Sequence, residues 1–494
     1  MNGKSNTPKN QVGNRGGRVG GRDSKRKQNN VVVLSPEQEA AMKEKTAEIS
    51  NGLQSCTWRD LESKGKFSRN EKLTFIRDDM LIVGCDIGSE THYVRAIDTK
   101  GRELSQGAFS FENNAEGFQI AKDWALRLAA QHEKKQIVLG LEPTGHYWFS
   151  LAAWMIANGI SVVQVNPYAV KQTKELEDNS QAKNDAKDPK LIADLVKNGN
   201  YGMPYLPEDV YADLRILCTL RDQLTEDRVR DMNRLHREMK IVFPEYKEAF
   251  GKIDGIFTLS VLATAPLPSE LTALGEDGVK EIWHAEKLRG GGYKRAKEIV
   301  HLASISAGLT QGAESRKLAI VSFVGKIMEL TAEIEEIEAQ IAQKCREIPR
   351  AENVLEIKGL GEMIVSGILA EMGDVDRFDA AKEIQKLSGL GLVACSSGKH
   401  KGQTKISHRG RKRLRYWLFQ GAMSVVSHNG EFRQIHEYYT TRAVNPLKKM
   451  QSITVIACKL LRIIFTILKK GIRFDPEKMM RDIVYPTQQE ATDA

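Results

Sequence analysis

The chain has 494 residues, of which 41% are hydrophobic and 28% are charged, and it carries a formal net charge of +9. These values are typical of a soluble protein of roughly two to four domains, and the excess of positive charge favours a polyanion as partner. The six cysteines are scattered without a CxxC pair. That pattern argues against a zinc ribbon or a disulfide framework and fits a reducing cytosol.

The first part of the chain is polar and basic. Residues 1–30 are rich in Gly, Asn, Lys and Arg and predict a disordered tail. Such a tail can contact phosphate loosely or have no function, and composition favours neither interpretation. A helix is predicted from Ser35, as N-cap before Pro36, to about residue 62. Because the N-terminus lacks the apolar core of a signal peptide, we expect a cytoplasmic protein.

Residues 80–205 predict an α/β sheet of the RNase H-like (RuvC-like) class. The segments LIVGCDIG, THYVRAID and GRELSQGAFSFE alternate as strands do and predict an antiparallel meander. A helix over 115–131 follows. The strands IVLGLE and SVVQVN, with a helix over HYWFSLAAWMIANG between them, predict a parallel crossover. Three antiparallel strands followed by such units is the order expected of an RNase H-like sheet.

Residues 206–348 predict a helical coiled-coil arm. Two long helices cover about 206–247 and 316–348, with a mostly helical insert at 248–312. In the second helix, apolar residues recur at steps of three and four: Ile320, Val324, Ile327, Leu330, Ile334, Ile337 and Ile341. Two interpretations of this seam stay open, because it can pack on the first helix of the same chain or join two chains.

Residues 349–475 predict a mostly helical region with a glycine turn near its start. In VLEIKGLGEMIVSGILAEMGD, Gly359-Leu360-Gly361 precedes an amphipathic helix. This is the helix-hairpin-helix arrangement, in which backbone N–H groups at the turn meet a DNA phosphate. The later apolar stretch SITVIACKLLRIIFTILKK contains Lys459 and Arg462, so it predicts a buried amphipathic helix rather than a membrane span.

Carboxylates end the apolar runs of the α/β region. Asp86 ends that of LIVGCDIG, Glu142 ends that of IVLGLEPTG, and Asp185 and Asp188 lie three apart in KNDAKDPKLIADL. Each acid alone has a plainer interpretation as a turn, surface or N-cap residue. Taken together in this order, the four predict a Mg²⁺ site, since a buried carboxylate is costly unless it is paired or binds a metal. Two such ions can clamp the oxygens of a phosphodiester.

These segments resemble the DEDD transposases of insertion-sequence family one-ten, which combine a RuvC-like nuclease domain with a separate serine-bearing domain. The matching stretches are GCDIGSETHYV, GLEPTGHYW, VVQVNPYAVKQ, KNDAKDPKLIADL, the GLG turn and SSGKHKGQTKISHRGRKRLR. The resemblance implies that Asp86, Glu142, Asp185 and Asp188 are the four metal-binding acids. The chain departs from the family at the motif before the last acid, where the usual lysine-threonine-aspartate is replaced by Lys183-Asn184-Asp185.

The resemblance covers roughly 80–205 and 350–470. With the patterns above, it divides the chain into five parts. These are a basic tail and helical extension (1–79), a RuvC-like domain (80–205), a coiled-coil arm (206–348), a serine domain (349–475) and a polar tail (476–494).

The resemblance further implies a serine nucleophile in the second domain. The matching site is Ser396-Ser397-Gly398, where we predict Ser397, directly before the glycine, with Ser396 as the alternative. Composition alone would favour an ordinary Gly/Ser turn. The basic residues that follow are predicted to neutralise phosphate charge around the serine. They are Lys399, Lys401, Lys405, Arg409, Arg411, Lys412, Arg413 and Arg415.

The implied function is that of a DNA transposase or recombinase, which cuts and rejoins element ends and target DNA through a 5′-phosphoserine intermediate. The resemblance also implies Mg²⁺ as cofactor, a non-coding bridge RNA as guide, a homodimer or homotetramer, and a place at the nucleoid of a bacterial cytoplasm. Two alternatives stay open from the residues. One is a RuvC-like nuclease that hydrolyses DNA with metal-bound water, and the other is a non-catalytic nucleic-acid-binding protein.

Overall fold

The structure is a computed structural model. It describes residues 35–55, 69–177, 188–288, 292–393 and 405–481, together with the backbone of 396–397 and 400–401. The chain divides into two units, of which the first comprises residues 1–57 and 64–204 and the second residues 58–63 and 205–494.

The first unit is built on a mixed sheet of six strands. They are β1 (Met80–Asp86), β2 (Thr91–Ile97), β3 (Phe109–Glu112), β4 (Gln136–Leu141), β5 (Ser161–Val165) and β6 (Tyr201–Gly202). Their order across the sheet is β3-β2-β1-β4-β5-β6. The pairs β1–β2, β2–β3 and β5–β6 are antiparallel, and β1–β4 and β4–β5 are parallel. Every residue of β1 before Asp86 is buried, so β1 is the central strand of the core.

Helices pack on the sheet. Those described are α1 (Pro36–Gly52), α2 (Arg69–Phe75), α3 (Ala115–Gln131), α4 (Trp148–Ala157), α5 (Pro167–Glu177) and α6 (Asp188–Lys197). The predicted N-cap is confirmed for α1, where the Ser35 side chain accepts from the Gln38 N–H. The Gln136 amide donates to the Gly52 carbonyl at 2.9 Å, which ties the end of α1 to the start of β4. The helical extension before residue 80 therefore packs as part of the first unit.

Helix α6 approaches β1 unusually closely, at Gly84. A Cβ added to this glycine would lie 1.9 Å from the Pro189 carbonyl oxygen and 2.6 Å from the Ala193 amide nitrogen. Only a residue without a side chain fits between strand and helix at this separation. Asp188 is the first residue of α6, so this contact fixes the start of the helix that carries it against β1.

The predicted order of antiparallel meander and parallel crossover is confirmed, and the mixed sheet is compatible with an RNase H-like fold. The third strand is shorter than GRELSQGAFSFE predicted, since it begins only at Phe109. Before it, the buried Ser105 hydroxyl accepts from the Ala96 N–H at 3.2 Å and takes the place of a strand partner. Only an isolated bridge, between Ile97 and Glu103, remains there.

The second unit begins with a long helical hairpin. Its helices are α7 (Asp209–Val242), α8 (Tyr246–Phe250), α9 (Ile256–Thr264), α10 (Pro268–Ala285), α11 (Tyr293–Ser304) and α12 (Ala313–Glu347). Helices α7 and α12 run antiparallel. Lys344 pairs with Asp213 at 3.2 Å near one end, and Arg228 donates to the Thr331 hydroxyl at 2.9 Å further along. Helices α8 to α11 form the insert at the far end of this arm.

The apolar seam of α12 is buried within a single chain. Ile320, Val324 and Ile327 lie in one hydrophobic cluster with Leu235 and Met239 of α7. Ile337 and Ile341 lie in a second cluster with Leu214 and Cys218. Packing within one chain, the first of the two interpretations of the seam, therefore accounts for its burial. A coiled-coil contact between chains stays a prediction.

The rest of the second unit carries the serine segment. Its elements are α13 (Ala351–Leu355), α14 (Glu362–Met372), a 3-10 turn (Val375–Arg377), α15 (Ala381–Leu387), β7 (Leu392–Val393), β8 (Ser396–Ser397), β9 (His400–Lys401), β10 (Lys405–Ile406), α16 (Lys412–His428), α17 (Gly430–Thr441), α18 (Lys449–Lys470) and α19 (Pro476–Met480). Strand β7 pairs antiparallel with β10, and β8 pairs antiparallel with β9.

The predicted helix-hairpin-helix corresponds to α13, a turn and α14. Gly359 in the turn has φ of 100°, which favours glycine, and its Cα position faces Val425 of α16, whose Cα would lie 3.0 Å from an added Cβ. The turn is thus fixed by packing. Its predicted contact with a DNA phosphate stays a prediction.

One helix in the described part of the chain, α18, is long and apolar enough to span a membrane by length and composition. Helices α9 and α10 pass the same test only when counted as one span bent by 115°. In α18, Ile456, Leu460, Leu461 and Ile464 are buried in the core of the second unit. This burial agrees with the predicted amphipathic core helix.

We expect Gly84→Ala to destabilise the first unit. The new methyl group meets backbone atoms of α6, and overpacking of this kind costs about 1–3 kcal/mol or more. Gly202→Ala is the matched control, because a Cβ at this edge-strand glycine meets no heavy atom within 4 Å. Urea unfolding of the three proteins measures the difference. Equal midpoints for Gly84→Ala and Gly202→Ala would contradict the close contact.

Candidate functional site

Two of the predicted acids lie side by side at one edge of the sheet. Strand β1 ends at Asp86, and β4 pairs with it in parallel, with Cys85 opposite Leu141. Glu142 follows Leu141 and therefore occupies the register position next to Asp86. Neighbouring strands lie about 4.8 Å apart, so the two half-buried carboxylates share one local environment.

The third described acid, Asp188, belongs to the same cluster. Burial raises the pKa of Glu142 above its ordinary value, and the negative charges of Asp86 and then of Asp188 raise it further. The positive charge of Lys174 acts in the opposite direction and lowers that pKa. The sheet edge thus gathers three carboxylates and one ammonium group into one electrostatic cluster. Asp185 lies outside the described residues, so its predicted place in the cluster stays untested.

Lys174 is a site residue that carried no signal in the sequence. It lies on α5, and its Nζ donates to both carboxylate oxygens of Asp188, at 2.8 and 2.9 Å. A lysine in the polar run VKQTKELE is normally a solvated surface residue, and nothing in the spacing joins it to an acid fourteen positions later. The contact depends on how α5 and α6 pack on the sheet.

His92 holds the turn that follows Asp86. Its buried ring accepts from the Gly88 N–H through Nδ1 at 3.3 Å. Burial lowers the pKa of His92, in agreement with a neutral ring whose Nδ1 can accept. This histidine was not singled out from the sequence, although it lies within the GCDIGSETHYV stretch. Its role is to position the backbone beside Asp86.

The donor set at this edge fits a hard divalent cation. Mg²⁺ takes oxygen ligands and is usually bound by one or two carboxylates together with water and substrate phosphate. Asp86 and Glu142 supply such carboxylates. Within the described residues no three Asp, Glu, His or Cys side chains gather closely enough to bind an ion alone, and Asp188 is engaged by Lys174. The fit therefore rests on Asp86 and Glu142, and a third ligand requires Asp188 to leave Lys174 or Asp185 to join.

The predicted serine lies on a short hairpin of the second unit. Ser397 in β8 is opposite His400 in β9, and Ser396 is opposite Lys401. Backbone hydrogen bonds close the base of this segment, from Arg411 N–H to Leu387 at 2.7 Å and from Ser407 N–H to Gly391 at 2.8 Å. The described backbone before and after the hairpin is thus held together by these hydrogen bonds. The side chains of residues 396–401 lie outside the described part, and the acids belong to the other unit.

The basic residues predicted to contact phosphate fall into two groups. Lys405, Arg409 and Lys412 are exposed, whereas Lys399 and the Lys401 side chain lie outside the described residues. Arg411, Arg413 and Arg415 are instead half-buried and engaged in contacts within the second unit. Their predicted contact with phosphate stays a prediction, but their observed partners are protein groups.

These three arginines connect the start of α16, which follows the serine segment, to neighbouring parts of the second unit. Arg413 donates to the Asp222 carboxylate at 2.6 Å and to the Cys218 carbonyl at 2.9 Å, both on α7. Arg415 donates to the Ser388 carbonyl at 2.8 Å. Arg411 donates to the carbonyl of the buried Glu371, and burial lowers its pKa to about 10. They act as structural ties in this fold.

Fold and site together define the class of the protein. A mixed sheet in this order, with acids at the carboxyl edge of β1 and β4, is compatible with an RNase H-like enzyme acting on nucleic acid. A family model described as transposase, for the DEDD transposases of IS110, matches residues 83–244. A second model, described as transposase of the IS116/IS110/IS902 family, matches residues 351–439. The chain belongs to the IS110/IS116 family of insertion-sequence transposases, which are DNA transposition enzymes.

Two of the relatives match most of the chain, and a third matches about half of it. The uncharacterized 44.8 kDa protein of insertion element IS116 from Streptomyces clavuligerus is 24% identical over 81% of this chain and 97% of its own length. The uncharacterized 42 kDa protein of insertion element IS900 from Mycobacterium paratuberculosis is also 24% identical, over 80% of this chain and 96% of its own. A pilin gene-inverting protein from Moraxella bovis is 26% identical over 49% of this chain and 75% of its own.

We expect Glu142→Gln to stabilise the first unit at neutral pH. Because the folded-state pKa of Glu142 lies above its unfolded value, folding is favoured while the group is protonated, and this contribution is lost as the pH rises through the folded pKa. The free energy of unfolding of the variant should therefore exceed that of the wild type increasingly as the pH rises above about 4, the usual range of an unfolded glutamate, and through the raised folded-state pKa. Thermal unfolding across that range measures it.

Glu90→Gln serves as the control for this experiment, since Glu90 is an exposed carboxylate of the same unit. It should leave the pH dependence of unfolding unchanged. A Glu142→Gln curve that runs parallel to the wild-type curve over the whole range would contradict the raised pKa.

Proposed function

We propose that this transposase cuts and rejoins DNA through a nucleophilic Ser397, assisted by Mg²⁺ at the acidic edge of the first unit. The observation that carries the proposal is the position of Glu142 at this sheet edge, where burial first and then the charges of Asp86 and Asp188 raise its pKa. Like charges brought together at a sheet edge weaken the fold, and such clusters are characteristic of functional sites. A bound divalent cation compensates the excess negative charge.

The ion would be bound by Asp86 and Glu142, with Asp185 and Asp188 as the further ligands that the family pattern supplies. When bound, it polarises the scissile phosphodiester and stabilises negative charge on its oxygens. Other residues of this chain maintain the geometry of the ion-binding position. Gly84 lets α6 approach β1, His92 fixes the turn after Asp86, and Lys174 keeps Asp188 in place when no ion is present.

The serine carries out the covalent step. The Ser397 Oγ attacks a DNA phosphorus, its proton passes to a base, and the bond from phosphorus to the 3′ oxygen breaks. One DNA end then carries a free 3′-hydroxyl and the other is linked to the protein as a 5′-phosphoserine. Attack by the 3′-hydroxyl of a second strand reverses the link and regenerates the serine. The number of phosphodiester bonds is conserved, so strand exchange requires no nucleotide hydrolysis.

The remaining parts of the proposal concern partners and location. A non-coding bridge RNA supplies sequence choice by base pairing, while the protein contacts backbone and shape. The net charge of +9 favours both polyanions. The acids of one subunit serve the serine of another, in a homodimer or homotetramer at the bacterial nucleoid.

Ser397→Ala should abolish a covalent protein–DNA adduct that the wild type forms on element-end DNA with Mg²⁺ and the flanking RNA. Because a 5′-phosphoserine retains the downstream strand, label at the 3′ end of the cut strand should stay with the protein on a denaturing gel. Label at its 5′ end should leave on a free fragment. Ser396→Ala is the matched control and should keep the adduct.

Other outcomes of this experiment identify the alternatives. An adduct that disappears only in Ser396→Ala transfers the role to the neighbouring serine. Cleavage without adduct, unchanged in Ser397→Ala, indicates a hydrolytic nuclease that uses metal-bound water. Bound but uncut DNA, with RNA and Mg²⁺ present, indicates a non-catalytic binding protein.

Lys174→Met should tighten the binding of Mn²⁺, as a substitute for Mg²⁺, by the acidic edge. The lysine competes with the ion for Asp188, and an ion pair as exposed as this one contributes roughly 0.2–1 kcal/mol, so the expected gain is about fivefold or less. Isothermal titration measures it. Lys171→Met on the exposed side of the same helix is the control. Weaker binding in Lys174→Met would show that the lysine supports the site rather than competing with the ion.

A further inference from the structure

The serine-bearing part of the second unit contains a groove with a cavity volume of about 560 Å³. One wall is a face of α18, another is formed by Leu392 of β7 and Ile406 of β10, and the third is the segment from Ile472 to Met479. The volume lies within the range of about 300–1,000 Å³ that is usual for ligand-binding clefts. The proposed chemistry of the serine and the acids does not use this groove.

Helix α18 has two faces with different surroundings. One is buried in the core, as Ile456, Leu460 and Ile464 show. The other lines the groove with residues at helical spacing: Val455, Cys458, Lys459, Arg462, Ile463 and Thr466. The second face combines apolar and cationic side chains, which explains why the helix is apolar enough to resemble a membrane span and yet carries charges.

The rim of the groove is cationic. Lys459, Arg462, Arg473 and Lys478 line it, and Asp475 is the only carboxylate among the described lining residues. Arg473 lies 3.5 Å from Glu356, while the Asp475 carboxylate accepts from the Lys478 backbone N–H at 3.0 Å as the cap of α19. Among the described residues that line the groove, positive charges therefore outnumber negative ones, which suits a phosphate.

The floor and walls of the groove are apolar and partly aromatic. Leu392 is 70% exposed and Ile472 is 41% exposed, which are high values for large apolar side chains. The half-buried Tyr439 of α17 contributes a ring. Cations at a rim above apolar and aromatic surface form the combination that binds a single-stranded nucleic acid, with phosphates on the cations and bases on the apolar surface.

We propose that this groove receives an unpaired nucleotide of the DNA strand attacked by the serine. Ser397 lies five positions after Leu392 of the groove wall, so at about 3.3–3.6 Å per residue the two Cα atoms lie at most about 18 Å apart. A strand with its scissile phosphate at Ser397 thus has the groove within reach of nearby nucleotides. The inference rests on the proposed function, because it takes DNA as the strand that Ser397 attacks.

Binding of a fluorescein-labelled 12-nucleotide single-stranded DNA to the full chain, followed by anisotropy at several KCl concentrations, tests the groove without requiring any chemistry. Arg462→Glu should weaken binding at least about tenfold and flatten the salt dependence, since the slope falls by about 0.7 for every phosphate that is no longer neutralised. Lys449→Glu, an equal charge change at an exposed position of α18 outside the groove, should have a clearly smaller effect.

A second pair of variants examines the space rather than the charge. Val455→Trp fills the groove from a partly exposed position and should weaken binding of the single strand about tenfold without changing the net charge. Met450→Trp, on the same helix and 60% exposed, is its control and should bind like the wild type. Thermal unfolding verifies that all four variants are folded.

Several results would overturn the proposal. Equal binding by Val455→Trp and the wild type means that the groove is occupied otherwise, by the C-terminal residues or by a second copy of the chain. An equal weakening on duplex DNA means that Arg462 contacts a backbone without receiving an unpaired base. Binding of a single-stranded RNA of the same sequence, but not of the DNA, assigns the groove to RNA. Because these measurements do not involve Ser397, they remain informative whether or not the adduct forms.

Discussion

The contact between helix α6 and strand β1 at Gly84 is the constraint on which the acidic edge depends. It packs the start of α6, whose first residue is Asp188, against β1, and the charge of Asp188 then acts on Glu142. The resulting like-charge repulsion is tolerated because the buried sheet and the Lys174 ion pair over-determine the geometry. A fold that already holds its carboxylates together has met part of the cost of arranging a metal site.

The coarse fold was predictable from the sequence because it depends on short-range periodicity. The apolar run ending at Asp86, the helix over 115–131 and the crossover to β5 all follow from local patterns, and each lies where the pattern indicates. The third strand was predicted too long. Ser105 is buried by tertiary packing, and the regular pairing with β2 does not extend to it. Alternation alone cannot show which residues will find a neighbouring strand.

The candidate site was predictable in part, for a related reason. Asp86 and Glu142 end strands that pair in parallel, so their proximity follows from topology. Lys174 and His92 were not predictable, because their contacts depend on packing between elements. Arg411, Arg413 and Arg415 illustrate the opposite case. A run of cations beside a serine indicates phosphate, but guanidinium groups at a helix start also make good structural ties, and here they contact Glu371, Asp222 and Ser388.

The tie between Arg413 and α7 has a mechanical consequence. The same helix that forms one side of the arm is attached, through Cys218 and Asp222, to the first turn of α16. One end of the arm is therefore attached to the helix that follows the hairpin carrying Ser397. A force that moves the arm's distant tip must either break these bonds or move the first turn of α16, so a push at α8 to α11 is transmitted to the helix that follows the segment containing Ser397.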